Sequence, residues 1–381
     1  MRRFPASTIL GLLASCGRTD TPPGPAAPDS LAAISQRYFT ENRVPGLAVG
    51  VWQEGRVVYR AGFGTTALPG GRPVTPATIF HMASVTKPFV ATAVVQLVEQ
   101  GKVGLDQPIT AYLPYFRIRG PQAAEITVRQ VLTHTAGLPD VTDYHWGSAE
   151  SGNDALERWV RTLADSSLTA APGERWRYSN IGFEVLADLI AKVSGLPFEV
   201  YVQRQILTPL GMRKSTLLMD VDSTLLAFGH EADSAGTYQQ SLVYPYNRRH
   251  AASSTLHSNV DDMLRWAAAN LAGGALEGAR IVADSSYRDL WGRQHDMTAA
   301  LVARAKQAGA PMPYDSVAMG LSWFLPWRDG RRLVFHSGGD TGFRTHLVLA
   351  PDRQTAVVVM TNGDGAEVGE LAAALLAAVT R

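Results

Sequence analysis

The chain is poor in cysteine and lysine and has no excess of charge of either sign. Its one cysteine, Cys16, excludes an internal disulfide and a thiolate-cluster metal site, because both need at least two sulfurs. The 35 Lys+Arg residues nearly cancel the 34 Asp+Glu, leaving a net charge of +1 with no basic block. Nucleic acid is therefore not an expected partner, since phosphate binding needs concentrated positive charge. The N-terminal apolar run is far too short to span a bilayer, and no later run is long enough either. Gly-x-Ser-x-Gly, a glycine-rich phosphate loop and His-Glu-x-x-His are all missing, so neither a hydrolase elbow of that type nor a histidine metal site is expected. The basic residues are very unequal: Lys87, Lys102, Lys192, Lys214 and Lys306 stand against thirty arginines.

What is present is a 381-residue chain, 46% hydrophobic, long enough to bury a substantial core in one large domain or two interlocked ones. It begins with Arg2 and Arg3, a short apolar stretch from Phe4 to Leu13, and then Leu13-Ala14-Ser15-Cys16. This resembles a bacterial signal peptide over residues 1–15 that ends in a lipobox, with Cys16 as the lipidated residue. Residues 16–29, with Pro22, Pro23, Pro25 and Pro28, read as a semi-extended tether. The expectation is an exported lipoprotein, held at the membrane by its lipid and facing the periplasm or the outside of the cell.

The rest, 30–381, reads as one α+β domain. Leu31, Ile34, Tyr38 and Phe39 recur at helical spacing, and Leu47–Trp52 and Val57–Ala61 form a hairpin about Glu54-Gly55. Helical patterns follow around 84–101, 127–133, 153–164, 181–194, 198–207 and 259–271. Strands return at Met319–Trp327, Arg332–Phe335, Thr345–Leu349 and Thr355–Met360, and an Ala/Leu-rich helix covers Glu367–Val379. Strands at both ends around a helical middle imply one antiparallel sheet built from the two termini (about 30–80 and 300–381). Terminal helices flank it, and an all-helical insertion occupies about 84–290.

Three short motifs carry chemistry. Ser84-Val85-Thr86-Lys87 opens a mostly buried helix and projects Ser84 and Lys87 from one face, at i and i+3. A serine hydroxyl is a weak nucleophile, and an amine held in an apolar setting can take its proton. Tyr178-Ser179-Asn180 precedes the helix from Ile181; a phenol there can shuttle protons if nearby cations lower its pKa, and the Asn180 amide can hold Lys87 or a substrate carbonyl. His336-Ser337-Gly338-Gly339 ends a predicted strand, where the imidazole can bond the tyrosine and small residues let the backbone approach an oxyanion.

In that order the three motifs resemble the serine penicillin-recognising enzymes, in the branch of class C β-lactamases, D-Ala-D-Ala carboxypeptidases, D-aminopeptidases and related esterases. Ile126 to Pro139, Pro209-Leu210-Gly211-Met212, Ser258 to Trp266 and Gly320-Leu321-Ser322-Trp323 are similar to further landmarks of that family. The resemblance implies the β-lactamase/transpeptidase fold and acyl transfer to water through a Ser84 ester, with Lys87 as partner and no cofactor. It makes Tyr178 the general base, Asn180 the group that positions Lys87 and the substrate amide, and the backbone N–H groups of Ser84 and Gly339 the oxyanion hole. Gly338 would border the substrate.

The departure is His336, where class C β-lactamases carry lysine. A histidine only partly protonated near neutrality receives a substrate carboxylate less well. Arg344, eight residues on, either supplies that charge to the substrate or faces outward. The resemblance thus points to D-amino-acid peptides or carboxyl esters, with β-lactam hydrolysis as the alternative. A retired module that only binds peptidoglycan fragments or a protein partner is the reading from another class, and intact Ser84, Lys87, Tyr178 and Asn180 argue against it. His134 reads as part of a structural turn, and His145 and Trp146 as loop residues lining the pocket or packing on the surface.

If Cys16 carries lipid, labelled palmitate enters the full-length protein expressed in a bacterium, and the Cys16→Ala form loses both label and membrane association. A Cys16→Ala form that stays membrane-bound contradicts the anchor.

Overall fold

The structure, a computed structural model, describes residues 28–309 and 311–380. The expected signal segment, Cys16 and the tether as far as residue 27 lie outside the described residues. Helix α1 (Pro28–Asn42) takes up the last two residues of the expected tether.

The hairpin of β1 (Gly46–Gln53) and β2 (Arg56–Gly64) turns at Gly55, whose φ of +85° is one that glycine adopts without strain. The later strands are β3 (Ser316–Met319), β4 (Phe324–Arg328), β5 (Val334–Asp340), β6 (Phe343–Ala350) and β7 (Thr355–Thr361). They join the hairpin in a nine-stranded antiparallel sheet of order β2-β1-β7-β6-β5-β4-β3, completed by two short strands, His295–Asp296 and Arg331–Arg332. β1 pairs with β7, so the two ends of the chain meet in the middle of the sheet. The expected single strand over 319–327 is in fact two, because Gly320–Trp323 turns the chain back. Gly320 fits there because a Cβ would stand 2.3 Å from the Leu290 carbonyl oxygen.

Alternation sorts the side chains between two cores. In β7, Val357 and Val359 face α1 and the C-terminal helix Val368–Thr380, beside Leu31, Leu371 and Leu375, whereas Ala356, Val358 and Met360 face the insertion. β7 is buried on both faces, which is why its apolar run is unbroken. The insertion is built on α2 (Lys87–Glu99), α3 (Val128–Leu132), α4 (Ala155–Thr162), α5 (Asn180–Ser194), α6 (Phe198–Val202), α7 (Ala251–Ser254) and α8 (Val260–Leu271). It is not all-helical: Phe80–His81 pairs with His257–Ser258, and His230–Ala232 with Tyr238–Gln240. The first of these ladders ties the chain entering α2 to the chain entering α8.

α2 is buried from Lys87 to Leu97 and packs on α5. Phe89 stacks on Trp266 of α8, ring centroids 3.9 Å apart, and Trp266 is fully buried. Trp266→Ala removes the ring against which α2 rests. It should cost about 3–5 kcal/mol of stability, the range for truncating a buried large aromatic residue. Urea denaturation measures this, and a loss below about 1 kcal/mol, the range of ordinary surface substitutions, contradicts the packing argument.

Candidate active site

Ser84 lies in a 3-10 turn, Ala83–Thr86, that runs directly into α2. Ala83 has a φ of +47°, a left-handed conformation that costs an alanine energy and persists only where neighbours enforce it. They do so from two sides. Thr345 Oγ1 on β6 donates to the Met82 carbonyl at 2.8 Å, Met82 N donates to the Leu256 carbonyl at 2.7 Å, and Leu256 N donates to Thr86 Oγ1 at 3.0 Å. Gly338 of β5 lies against the same turn, where a Cβ would fall 2.3 Å from the Met82 carbonyl oxygen and 3.1 Å from Ala83 Cβ. Its missing side chain thus has a defined purpose, which is to let the strand that carries Gly339 close on Ser84.

Lys87 is fully buried, and its Nζ donates to Ser84 Oγ at 2.8 Å and to the Ser253 carbonyl at 2.7 Å. It also sits 5.0 Å from the centre of the Tyr178 ring and 5.6 Å from that of Phe183. Burial pushes its pKa down to about 7, against the opposing pull of Asp140, Asp340 and Glu184. The anchor for this lysine is therefore a carbonyl of α7, where the sequence pointed to Asn180. Asn180 itself, in the first turn of α5, donates from N and Nδ2 to Asp140 Oδ1 at 2.8 and 3.0 Å.

Tyr178 stands beside Ser84, and its pKa moves opposite to the expected direction. Burial raises it well above the ordinary phenol value, and hydrogen bonding to Ser84 only partly offsets this. The group at the site is thus a neutral phenol. His134 stacks on it, ring centroids 4.2 Å apart, with Nδ1 accepting from Ser179 N at 3.2 Å. Burial and Lys87 hold His134 far below the ordinary histidine range, so it is a neutral brace for the tyrosine.

His336 also differs from the sequence expectation. It is buried, its Nδ1 donates to the Ser337 carbonyl at 2.7 Å where a bond to the tyrosine was expected, and burial together with Lys87 lowers its pKa to about 3. It carries no charge near neutrality. Arg344 does not replace that charge. Gly338 pairs with Thr345 on the face that meets the Ser84 turn, whereas Gly339 pairs with Arg344, whose side chain lies on the opposite face of the sheet. There Arg344 Nη1 donates to the carbonyls of Asp340 and Phe343 at 3.0 and 2.8 Å.

Residues that the motifs did not reveal complete the site. Ser253, Glu184 and Asp340 approach Lys87 from α7, α5 and β5 and have no sequence signature linking them to it. Asp140, by contrast, directly follows the conspicuous segment ending in Leu138-Pro139 and could have been found there. Tyr144 stacks on Trp146 at 4.6 Å and packs edge-on to His250 at 4.9 Å, so the loop after Asp140 lays an aromatic pair against the histidine that bonds Glu184. Together these groups place an amine where it can take the proton of a serine hydroxyl.

The profile of the Beta-lactamase family matches residues 31–381. Esterase EstB of Burkholderia gladioli is 36% identical over 195 residues, which are 48% of this chain and 50% of that protein, so the match spans about half of EstB. The D-alanyl-D-alanine-carboxypeptidase/endopeptidase AmpH of Escherichia coli K12 is 28% identical over 357 residues, covering 88% of this chain and 85% of AmpH. Among solved structures, the octameric penicillin-binding protein homologue from Pyrococcus abyssi superposes with a TM-score of 0.77 at 26% identity, covering 92% of this chain and 76% of that one. The family match runs from within α1 to the C-terminal helix and includes all three motifs around Ser84, and the chain belongs to the β-lactamase family.

Proposed function

We propose that the protein is a serine hydrolase that cleaves carboxyl esters, or amides of similarly uncharged character, through an acyl-enzyme on Ser84. The observation that carries this reading is Lys87, whose amine lies 2.8 Å from the Ser84 hydroxyl and whose pKa burial brings to about 7. A neutral Lys87 amine takes the Ser84 proton as Oγ bonds to the substrate carbonyl carbon. The Ser84 and Gly339 N–H groups receive the oxyanion, for which the approach of β5 to the Ser84 turn prepares them. The proton passes through the Tyr178 phenol to the departing alcohol or amine. Water then attacks the ester, its proton returns by the same route, and Ser84 is freed. A phenol with a raised pKa suits the relay better than the role of primary base.

The substrate preference rests on charge. His336 is neutral and Arg344 lies across the sheet, so neither of these two residues places a fixed cation beside β5 for a carboxylate. This favours esters over D-Ala-D-Ala peptides and β-lactams, whose free carboxylate needs one, and the EstB relative supports the same choice. The lipobox-like segment before Cys16 supports an extracytoplasmic location.

Two outcomes are expected. First, Ser84→Ala, Lys87→Ala and Tyr178→Phe each lower turnover of a p-nitrophenyl ester by ~100-fold or more, the scale of a lost nucleophile or proton carrier. In the wild type, kcat/KM rises with pH through about 7 as Lys87 loses its proton. A flat profile across that range removes Lys87 as the base. Second, p-nitrophenyl esters are turned over with higher kcat/KM than nitrocefin or D-Ala-D-Ala peptides. A preference for either carboxylate-bearing substrate contradicts the charge argument.

A further inference from the structure

The carbonyl that holds Lys87 belongs to Ser253, in a four-residue helix gripped from two sides by buried carboxylates. On one side, Glu184 of α5 is fully buried. Its Oε1 accepts from Ser253 Oγ at 3.0 Å and from His250 Nδ1 at 2.6 Å, and its Oε2 accepts from Trp159 Nε1. On the other, Asp340 at the end of β5 is 5% exposed. Its Oδ2 accepts from Ser254 Oγ and from His81 Nε2, the latter at 2.8 Å. Two adjacent serines of α7 thus tie one helix turn to two carboxylate–histidine pairs, one in the insertion and one in the sheet. Burying a carboxylate is expensive even when it is well bonded, and a well-packed apolar pair would hold a helix turn as firmly. The charges have another consequence: both carboxylates act on Lys87, alongside Asp140.

We propose that Glu184 and Asp340 are positioning residues, which clamp the Ser253-Ser254 turn from opposite sides and so fix the carbonyl that holds the Lys87 amine on Ser84. The clamp rests on the Ser84–Lys87 reading given above. It ties the nucleophile side of the cleft to the strand that carries Gly339, because Asp340 is the next residue after Gly339. The groups facing Lys87 are Asp340 from β5, Glu184 from α5, Asp140 from the loop after α3, the neutral Tyr178, and the neutral His134 and His336. Removing either clamp charge takes away a force that keeps the proton on Lys87.

The test follows the labelling of Ser84 by a fluorescent fluorophosphonate as a function of pH, in parallel with ester turnover, for two sets of variants of the full chain. Glu184→Gln and Asp340→Asn keep the shape and remove the charge; the acidic limb of labelling and of kcat/KM should move to lower pH in each. Ser253→Ala with Ser254→Ala keeps both charges and cuts both ties; kcat should fall by ~10- to 100-fold with little change in KM, the scale of a displaced catalytic group. Lower thermal stability with an unmoved limb and wild-type kcat makes the clamp merely structural and overturns the proposal. If the charge variants do not fold, the serine pair decides alone. Failure of the underlying reading looks different, since the wild type would then not label at Ser84 or would show no limb at all.

Discussion

Everything at this site depends on one costly burial, that of an amine in a protein interior beside a serine hydroxyl. An exposed lysine holds its proton up to a pH near 10 and is useless as a base at neutrality. With no exposure, and with Ser84 Oγ and the Ser253 carbonyl as acceptors, Lys87 is brought to about 7. Burial alone would destabilise the ammonium further. Asp140, Asp340 and Glu184 oppose it, and the balance leaves an amine that both gains and loses a proton within the working range.

The fold exists at this point as a way of bringing three directions together. The insertion supplies the 3-10 turn with Ser84, α2 with Lys87, α5 with Glu184, and α7 with the carbonyl. The sheet supplies β5, with His336, Gly338 and Gly339. The two meet where Gly338 lacks a Cβ and where Thr345 Oγ1 bonds the Met82 carbonyl, and the strained Ala83 is the local consequence of that close approach. The same burial that tunes the lysine silences His336.

What could be read in the sequence was local in origin. Ser84 and Lys87 are one helical turn apart, so their meeting needs no tertiary information, and the unbroken apolar run of β7 announces burial on both faces. Strands at both ends of the chain were enough to imply one antiparallel sheet built from the two termini. Interactions across long separations could not be read. Ser253 lies 166 residues from Lys87 and has no motif of its own, and the break at Gly320–Trp323 is set by the backbone of Leu290. Charge states failed for the same reason, because whether a phenol or an imidazole moves up or down depends on burial and neighbours. Tyr178 went up, His336 went down, and Arg344 was separated from both by the alternation of a strand whose pairing register no sequence pattern specifies.

The scarcity of lysine makes the central claim directly measurable. With only five lysines in the chain, the side-chain carbon resonances of a lysine-labelled sample can be followed through a pH titration, and the Lys87→Arg spectrum assigns the one of interest. The resonance that disappears in Lys87→Arg is predicted to titrate near pH 7. If that resonance instead titrates near about 10, the ordinary lysine value, Lys87 is a permanent cation at neutrality and cannot be the base for Ser84.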